Sequence, residues 1–501
     1  MELFQTVISD PSIQKIYSFS DIHADIDSLI IALRDCAKVI IKKDGFGYES
    51  GKPDRDANRL CEINILDSDN EFVDDLNYDW NPEAINTCVV IIGDLLDGKR
   101  DGIYHPTMPA IPSHYKPQIE IKILRFINSL MIKAKEHNSR LIKLLGNHEI
   151  LNMAESPTIA NYAFNEDTSL RNYYRGDTRI NTFKQGNHGY KLLMENGNGI
   201  FVKINNNMFI HAQLVDSMNL VNYQAINTFL NDTTKLILDP KTRRPFNYLT
   251  LINELNTGTS PLWNRDYSDE QIELRIGTEH GERFCNKMRT TTFRNMFSGI
   301  PDIDISKLRL VVGHCPQNFS TSYNTVNKTF TNVTKSADGI VEFVNPPSTI
   351  GTFNTQENII FGITMECDKG DTGKPNDHYI YHVDVGASRA FDQIAEAQTV
   401  IYPKCDNSHN TIDCKANPNP HVYYEKLILG GRTPQVLEFS GESLELVQII
   451  RSTIRNTRIN QERKFYEDHV RAIPELALDN DYYNKKYLKY KNKYLQLKNK
   501  K

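Results

Sequence analysis

Residues 87–97 read TCVVIIGDLLD. From Cys88 to Ile92 the run is wholly apolar, which suits a strand covered on both faces, as in a parallel sheet, better than one with a wet side. It stops abruptly at Gly93-Asp94, and a second aspartate, Asp97, follows three residues on. The same shape occurs twice more. KIYSFSD (15–21) ends in Asp21 with His23 close behind, and RLIKLLGN (140–147) ends in Asn147 with His148 and Glu149 following. Helical spacing lies between these runs: Ile26, Leu29, Ile30, Leu33 and Ala37 share a face within 25–42, and QIEIKILRFINSLMIKAKEH (118–137) is amphipathic. The strand-then-helix pattern, recurring along this half, predicts an α/β fold around a largely buried parallel sheet.

The second half reads differently. GIFVKINNNMFIHA (199–212) suggests two strands about an Asn-rich turn, and LRLVVGH (308–314), HYIYHVDVG (378–386), VYYEKLIL (422–429) and PQVLEF (434–439) are further strands with few helices between them. The expectation is a second, mostly antiparallel sheet packed on the first, with long polar insertions near 43–85, 152–198 and 317–377. A chain of 501 residues that is 39% hydrophobic and 24% charged is globular rather than disordered. It has no apolar run long enough to span a membrane, and its start, MELFQTVISDPS, lacks the basic and apolar regions of a secretory signal. Eight cysteines are scattered without C-x-x-C spacing, so neither a thiolate zinc site nor a redox pair is indicated. A reducing, cytoplasmic setting is expected, with Cys405 and Cys414 the one close pair and the sequons at Asn231, Asn318, Asn327 and Asn332 unused.

In an open α/β sheet, ligands bind at the carboxyl ends of the strands. The three polar tips therefore belong to one crevice, and His211 (in MFIHA) and His314 (in VVGHCP) end strands of the other sheet. Each tip alone is an ordinary turn; the set is specific. Two cations roughly 3.5–4 Å apart can hold the attacking and leaving oxygens of an in-line phosphoryl displacement. Their shared ligand must be anionic and able to use both oxygens, which points to Asp94. Asp21 and His23, two residues apart and so expected on one strand face, complete one site. Asn147, His211 and His314 complete the other, Asn147 with a neutral oxygen that limits the negative charge facing an anionic substrate. Nitrogen and oxygen ligands without thiolate suit Mn, Fe or Zn over Mg or Ca. His148 is then the acid for the leaving oxygen, and Asp97 the carboxylate that keeps it protonated. The expected nucleophile is a water bridging the metals, so Cys315 is read as a buried inert thiol and Glu149 as a helix-start carboxylate.

D-x-H at 21–23, G-D-x-x-D at 93–97, G-N-H-E at 146–149, His211 and G-H at 313–314 together resemble the framework of the calcineurin-like metallophosphoesterase superfamily. The resemblance implies a β-sandwich of two mixed sheets flanked by helices, as a catalytic domain over 14–450. Gly313-His314-Cys315-Pro316-Gln317 lacks the second histidine of many members and is in this similar to the phosphoprotein phosphatase branch. VVGHCPQ, SPLWNRDY (260–267), VDVGAS (383–388) and RTPQVLEF (432–439) look most like the Shewanella-like protein phosphatases. In that family the Trp-x-Arg stretch supplies a phosphate-binding arginine, which implies that role for Arg265. Two departures stand out. HAQL at 211–214 replaces the usual His-Ala-Gly, and Gly98 stands where the family's G-D-x-x-D-R-G has arginine. Phosphate is then expected to meet Lys99 or Arg100, or Arg265 alone, and a lysine offers a point charge without the bidentate fork.

The net charge of −5 is uneven, with +7 in residues 481–501 and −12 in the remainder. After a linker at 451–480 that includes Pro474, YYNKKYLKYKNKYLQLKNK (482–500) sets Tyr483, Tyr487, Tyr490, Tyr494 and Leu497 at alternating steps of four and three. This is a basic helical tail, either solvated or docked on another protein or helix; lysine and tyrosine without arginine argue against nucleic acid. The tail resembles Tyr/Lys-rich C-termini of giant, mimivirus-like DNA viruses, which implies action in host cytoplasm or in the virion. The chain as a whole reads as a two-metal phosphomonoesterase acting on phosphorylated Ser, Thr or Tyr of a protein or peptide. The rivals are a phosphodiesterase or dinucleoside polyphosphate hydrolase on the same scaffold, and a virion structural protein with little turnover.

Overall fold

Every residue of Thr87–Ile92 is buried, because the strand's side chains alternate between two apolar layers. Cys88, Val90 and Ile92 pack between two sheets, beside Ile16, Ile142, Val202, Phe209, Val311 and Phe439. Val89 and Ile91 face the other way, into a layer with Ile123, Leu124, Ile127 and Leu130 of a long helix. Phe439 fastens the sheets together, with its ring edge-on to Phe209 at 6.2 Å and to Tyr381 at 5.8 Å.

The computed structural model describes residues 4–42, 78–98, 119–154, 156, 178–231, 237–238, 245–246, 248–265, 285–301, 303–315, 363–367, 379–388 and 434–452, with short strand segments between 318 and 361. The strands that carry the fold are β1 (Val7–Ile8), β2 (Lys15–Phe19), β3 (Ile40–Lys42), β4 (Tyr78–Trp80), β5 (Thr87–Ile92), β6 (Arg140–Leu144), β7 (Phe201–Ile204), β8 (Asn207–Ile210), β9 (Arg309–Val312), β10 (Thr364–Glu366), β11 (Ile380–His382), β12 (Gln435–Ser440) and β13 (Leu446–Arg451). One sheet runs β13-β12-β2-β5-β6 and the other β1-β7-β8-β9-β11-β10. The helices are α1 (Ile26–Ile31), α2 (Ile119–Glu136), α3 (Asn147–Met153), α4 (Arg179–Thr182), α5 (His188–Met194), α6 (Leu220–Asn231) and α7 (Tyr248–Leu255). The fold is α/β: two mixed sheets face to face, with helices on their outer sides. No helix among the described residues is long and apolar enough to cross a membrane.

Several expectations are corrected. The second sheet is not mostly antiparallel: β1–β7, β8–β9 and β9–β11 are parallel, and only β7–β8 and β10–β11 antiparallel. PQVLEF forms β12 of the first sheet, antiparallel to both β2 and β13, with Val436 in the helix-covered layer and Leu437 and Phe439 in the layer between the sheets. The segment 25–42 is not one helix. After α1 and a π turn at Ala32–Cys36, Lys38 takes φ +56° and the β-branched Val39, Ile40 and Ile41 extend into β3, which pairs with β4. Within the insertion near 152–198, residues 178–198 fold into α4 and α5. Cys285 and Cys367 are joined in a disulfide across 82 residues, which tertiary closeness sets and spacing did not announce. Lys99, Arg100, VYYEKLIL, Cys405, Cys414, most of the linker and the whole basic tail lie outside the described residues.

Lys143 on β6 is an oddity in the apolar layer. It is fully buried and donates to Asn128 Oδ1 and, at 3.0 Å, to the Leu192 carbonyl. Burial lowers its ammonium to about 7, against an opposing pull from Glu195. An unfolded lysine keeps its proton to about pH 10.4, so unfolding takes up a proton above neutrality. Stability contributed by this residue therefore rises with pH between about 7 and 10, by at most about 1.4 kcal/mol per unit. Denaturant unfolding of the native chain and Lys143→Met across that window should show a steeper rise for the native chain; parallel profiles would contradict the assignment.

Candidate metal centre

The site is assembled from strand ends. Asp21 and His23 follow β2, Asp94 and Asp97 follow β5, Asn147 and His148 open α3 directly after β6, and His211 and His314 follow β8 and β9. Asp21, His23, Asp94, Asp97 and His314 all take left-handed backbone, with φ of 58°, 45°, 53°, 67° and 72°. Such conformations cost a non-glycine residue about 1–2 kcal/mol each and collect at functional sites. They also correct the reason given for Asp21 and His23. Strand β2 ends at Phe19, so alternation along a strand does not align them. Instead the chain curls inward, with Asp21 N donating to Gly93 O at 3.2 Å and His23 N to Asp94 O at 2.9 Å.

Glycines supply room at the closest approaches. Gly146 has ordinary extended backbone, φ −99°, yet a Cβ there would stand 2.1 Å from Asp94 Oδ1. A Cβ on Gly93 would stand 2.5 Å from Gly146 N. Glu149 pegs the two tips together: its carboxylate accepts from the N–H groups of Gly146 (2.7 Å), Asp94 (2.9 Å), Leu95 (2.8 Å) and Leu96 (3.1 Å). Burial, and then the charge of Asp94, push Glu149 up to about 7. The residue is thus more than a helix-start carboxylate.

Six buried side chains converge: Asp21, His23, Asp94, Asn147, His211 and His314. His211 Nε2 lies 3.3 Å from Asp94 Oδ1 and 2.8 Å from Asn147 Oδ1, and His314 Nδ1 lies 2.9 Å from Asn147 Oδ1. His23 Nε2 lies 3.5 Å from Asp21 Oδ1 and 3.7 Å from Asp94 Oδ2. Two groups of atoms, each lying within 4.8 Å of one another, could hold a metal ion: Asp94, His211 and His314, and His23, Asp94 and His148. Asp94 belongs to both. The outer ring nitrogens orient the rings: His211 Nδ1 meets Ile92 O at 2.8 Å and His23 Nδ1 meets Leu96 O at 3.2 Å, which leaves each Nε2 facing inward.

The electrostatics favour positive charge here. Burial lowers the His211 imidazole, but Asp94 outweighs it and draws the group up to about 10. Burial alone would raise Asp94, yet His211 and His148 hold it well below the usual carboxylate range. His314 is kept neutral by burial and by the charges of His211 and Arg265. Asp21 Oδ1 is buried and accepts no hydrogen bond. A buried set of nitrogen and oxygen donors with such an orphaned carboxylate oxygen fits divalent cations. At the rim, exposed Arg265 donates its Nε–H to His314 Nε2 at 3.2 Å, and the Trp263 ring stands edge-on to His314 at 6.0 Å.

His148 sits beside this set. Its Nδ1 is 2.8 Å from Asp97 Oδ2, and its Nε2 is 3.8 Å from Asp94 Oδ2. Burial would raise Asp97, but the Arg179 charge and the bond from His148 hold it below the usual range. Arg179 was not foreseen, since it lies in a segment read as a polar insertion. Its partner Glu120 did leave a signal: this carboxylate falls on the apolar stripe of α2 with Ile123, Leu124 and Ile127.

No protein-family profile matches the chain. A stretch of 210 residues is 27% identical to an uncharacterized protein of Acanthamoeba polyphaga mimivirus, spanning 39% of this chain and 77% of that protein. Among solved structures, a cold-active protein tyrosine phosphatase is similar at 16% identity and a TM-score of 0.37, over 66% of this chain and 71% of its own. The cold-active protein-tyrosine phosphatase of a psychrophilic Shewanella species follows at 18% identity and 0.33, over 66% and 73%. A protein serine/threonine phosphatase of Saccharomyces cerevisiae is similar at 13% identity and 0.26, over 65% and 69%.

Because Gly146 gives Asp94 its room, Gly146→Ala should weaken Mn binding by about 10–100-fold in an equilibrium titration. Gly258→Ala, where a Cβ meets nothing within 4 Å, is the neutral control. Equal affinities in the two variants would refute the role given to Gly146.

Proposed function

We propose that this chain is a metal-dependent phosphomonoesterase of the calcineurin-like superfamily, of phosphoprotein phosphatase type, acting on a phosphorylated Ser, Thr or Tyr of a protein or peptide. The observation that carries this reading is one carboxylate, Asp94, common to two groups of buried donors, with a histidine–aspartate pair alongside. Asp21, His23 and Asp94 would hold one cation, and Asp94, Asn147, His211 and His314 a second; Mn, Fe or Zn match these donors. Bound there, the pair would supply positive charge to the phosphoryl group in flight and acidify a water to serve as nucleophile.

The chain's own residues do the rest. As the water oxygen forms its bond to phosphorus and the ester P–O bond breaks, His148 gives its Nε2 proton to the leaving oxygen, its Nδ1 being held by Asp97. Arg265 binds the phosphoryl oxygens. If His314 turns its Nδ1 lone pair to a cation, its ring proton moves to Nε2, where it opposes the Arg265 N–H. The exposed guanidinium then turns to an anionic acceptor, for which its fork is suited. With glycine at 98, more of the phosphate binding falls on Arg265, with Lys99 or Arg100 as the further candidates.

The grouping of His148 with His23 and Asp94 favours one alternative, in which His148 is itself a ligand. Two variants separate the readings. Asp94→Asn should abolish turnover of phosphopeptides by the Mn-loaded protein. His148→Asn should keep its metal and slow turnover by about 10²–10⁴. Equal metal loss in both would make His148 a ligand. Preference for dinucleoside polyphosphates would favour the phosphodiesterase rival, and metal-loaded protein without turnover on any phosphoester would favour a structural role.

A further inference from the structure

Behind His148 and Asp97 lies a second buried layer that a metal site does not require. Arg179, the first residue of α4, is 2% exposed, and its guanidinium reaches three side chains. Nε donates to Glu120 Oε2 at 2.7 Å and Nη1 to Asn152 Oδ1 at 2.7 Å, while Nη2 donates to both Asp97 Oδ1 and Glu120 Oε1. Its guanidinium carbon lies over the Phe183 ring, 5.3 Å from the centroid. Glu120 Oε1 in turn accepts from Asp97 N at 2.9 Å. Asn152 Nδ2 donates to Asp97 Oδ2 at 3.0 Å and to the His148 carbonyl at 2.8 Å.

We propose that Arg179 is a positioning residue for proton donation: by holding Asp97 Oδ1 it stops that carboxylate from rotating, and so keeps Oδ2 on His148 Nδ1 and His148 Nε2 aimed at the leaving oxygen. The inference rests on the phosphatase reading above. A carboxylate held through one oxygen can swing about its terminal torsion, which is broad for aspartate. Arg179 on one oxygen, and His148 and Asn152 on the other, remove that freedom. The planar fork is needed because one group must meet Asp97, Glu120 and Asn152 in fixed directions, and an ammonium on a flexible stem does not. The charges also close: two buried carboxylates, Asp97 and Glu120, face one guanidinium and one imidazolium when His148 is ready to donate. A salt bridge that merely held α4 in place would have no reason to share its carboxylate with the proton donor.

Leaving-group dependence separates positioning from simple structural support. An acidic phenol leaves without a proton, whereas a serine alkoxide needs one, so a misaimed donor slows only the second. With the full-length chain loaded with Mn, Arg179→Lys should lower kcat on a phosphoserine peptide by about tenfold or more. Its kcat on p-nitrophenyl phosphate, its KM values and its metal content should stay at native levels. Asn152→Ala, which removes the other tie on Asp97, should show the same selective loss and serves if Arg179→Lys does not fold. Equal losses on both substrates, or no loss on either, overturn the positioning role while leaving the phosphatase reading intact. A native chain inactive on both substrates overturns that reading and this inference with it.

Discussion

Four backbone N–H groups share the Glu149 carboxylate, and the rest of the site depends on that convergence. They come from the tip of β5 and the tip of β6, and so hold together two turns that would otherwise splay. A hydrogen bond contributes about 1 kcal/mol net. Four of them are therefore of the size needed to offset the left-handed conformations of Asp94 and Asp97. Gly93 and Gly146 make the contact sterically possible, since either Cβ would collide with the opposite tip. Asp94 is consequently placed by backbone rather than by packing, which suits a carboxylate common to two groups of donors.

Charge is arranged in two shells with different needs. The inner one, Asp21 and Asp94 among His23, His211 and His314, draws positive charge so strongly that His211 rises to about 10 despite full burial. The outer one, Asp97 and Glu120, is neutralised by the chain's own Arg179. Buried carboxylates left without partners cost several kcal/mol, so each shell has to be satisfied separately. His148 lies between them, its Nδ1 on the outer carboxylate and its Nε2 toward the inner one. That placement is the geometry on which the proton-donor role proposed for His148 rests.

The inner shell was readable from residues because each member ends an apolar run, and apolar runs locate strand ends. Asp21, His23, Asp94, Asn147, His211 and His314 all emerge where hydrophobicity stops. Arg179 could not be read in this way. It reaches the site only through the folding of 178–198 against α2 and α3, and no local pattern marks it. Glu120 was partly visible, as a charge on an apolar stripe. Sheet membership was the other blind spot: β12 reads as one more strand of the later half, but its partner is β2, near the start of the chain. Glu149 was legible as a helix-start residue, while its grip on the β5 tip depends on a contact between segments more than fifty residues apart.

We propose that Asp94, common to both groups of buried donors, is shared by two cations. A crystal structure of the chain prepared with Mn, with anomalous differences recorded for that metal, tests it most directly. Two peaks roughly 3.5–4 Å apart, both in contact with the Asp94 carboxylate, are the expected result. Peaks that do not share Asp94, or no peak at the ends of β2, β5 and β6, would contradict it.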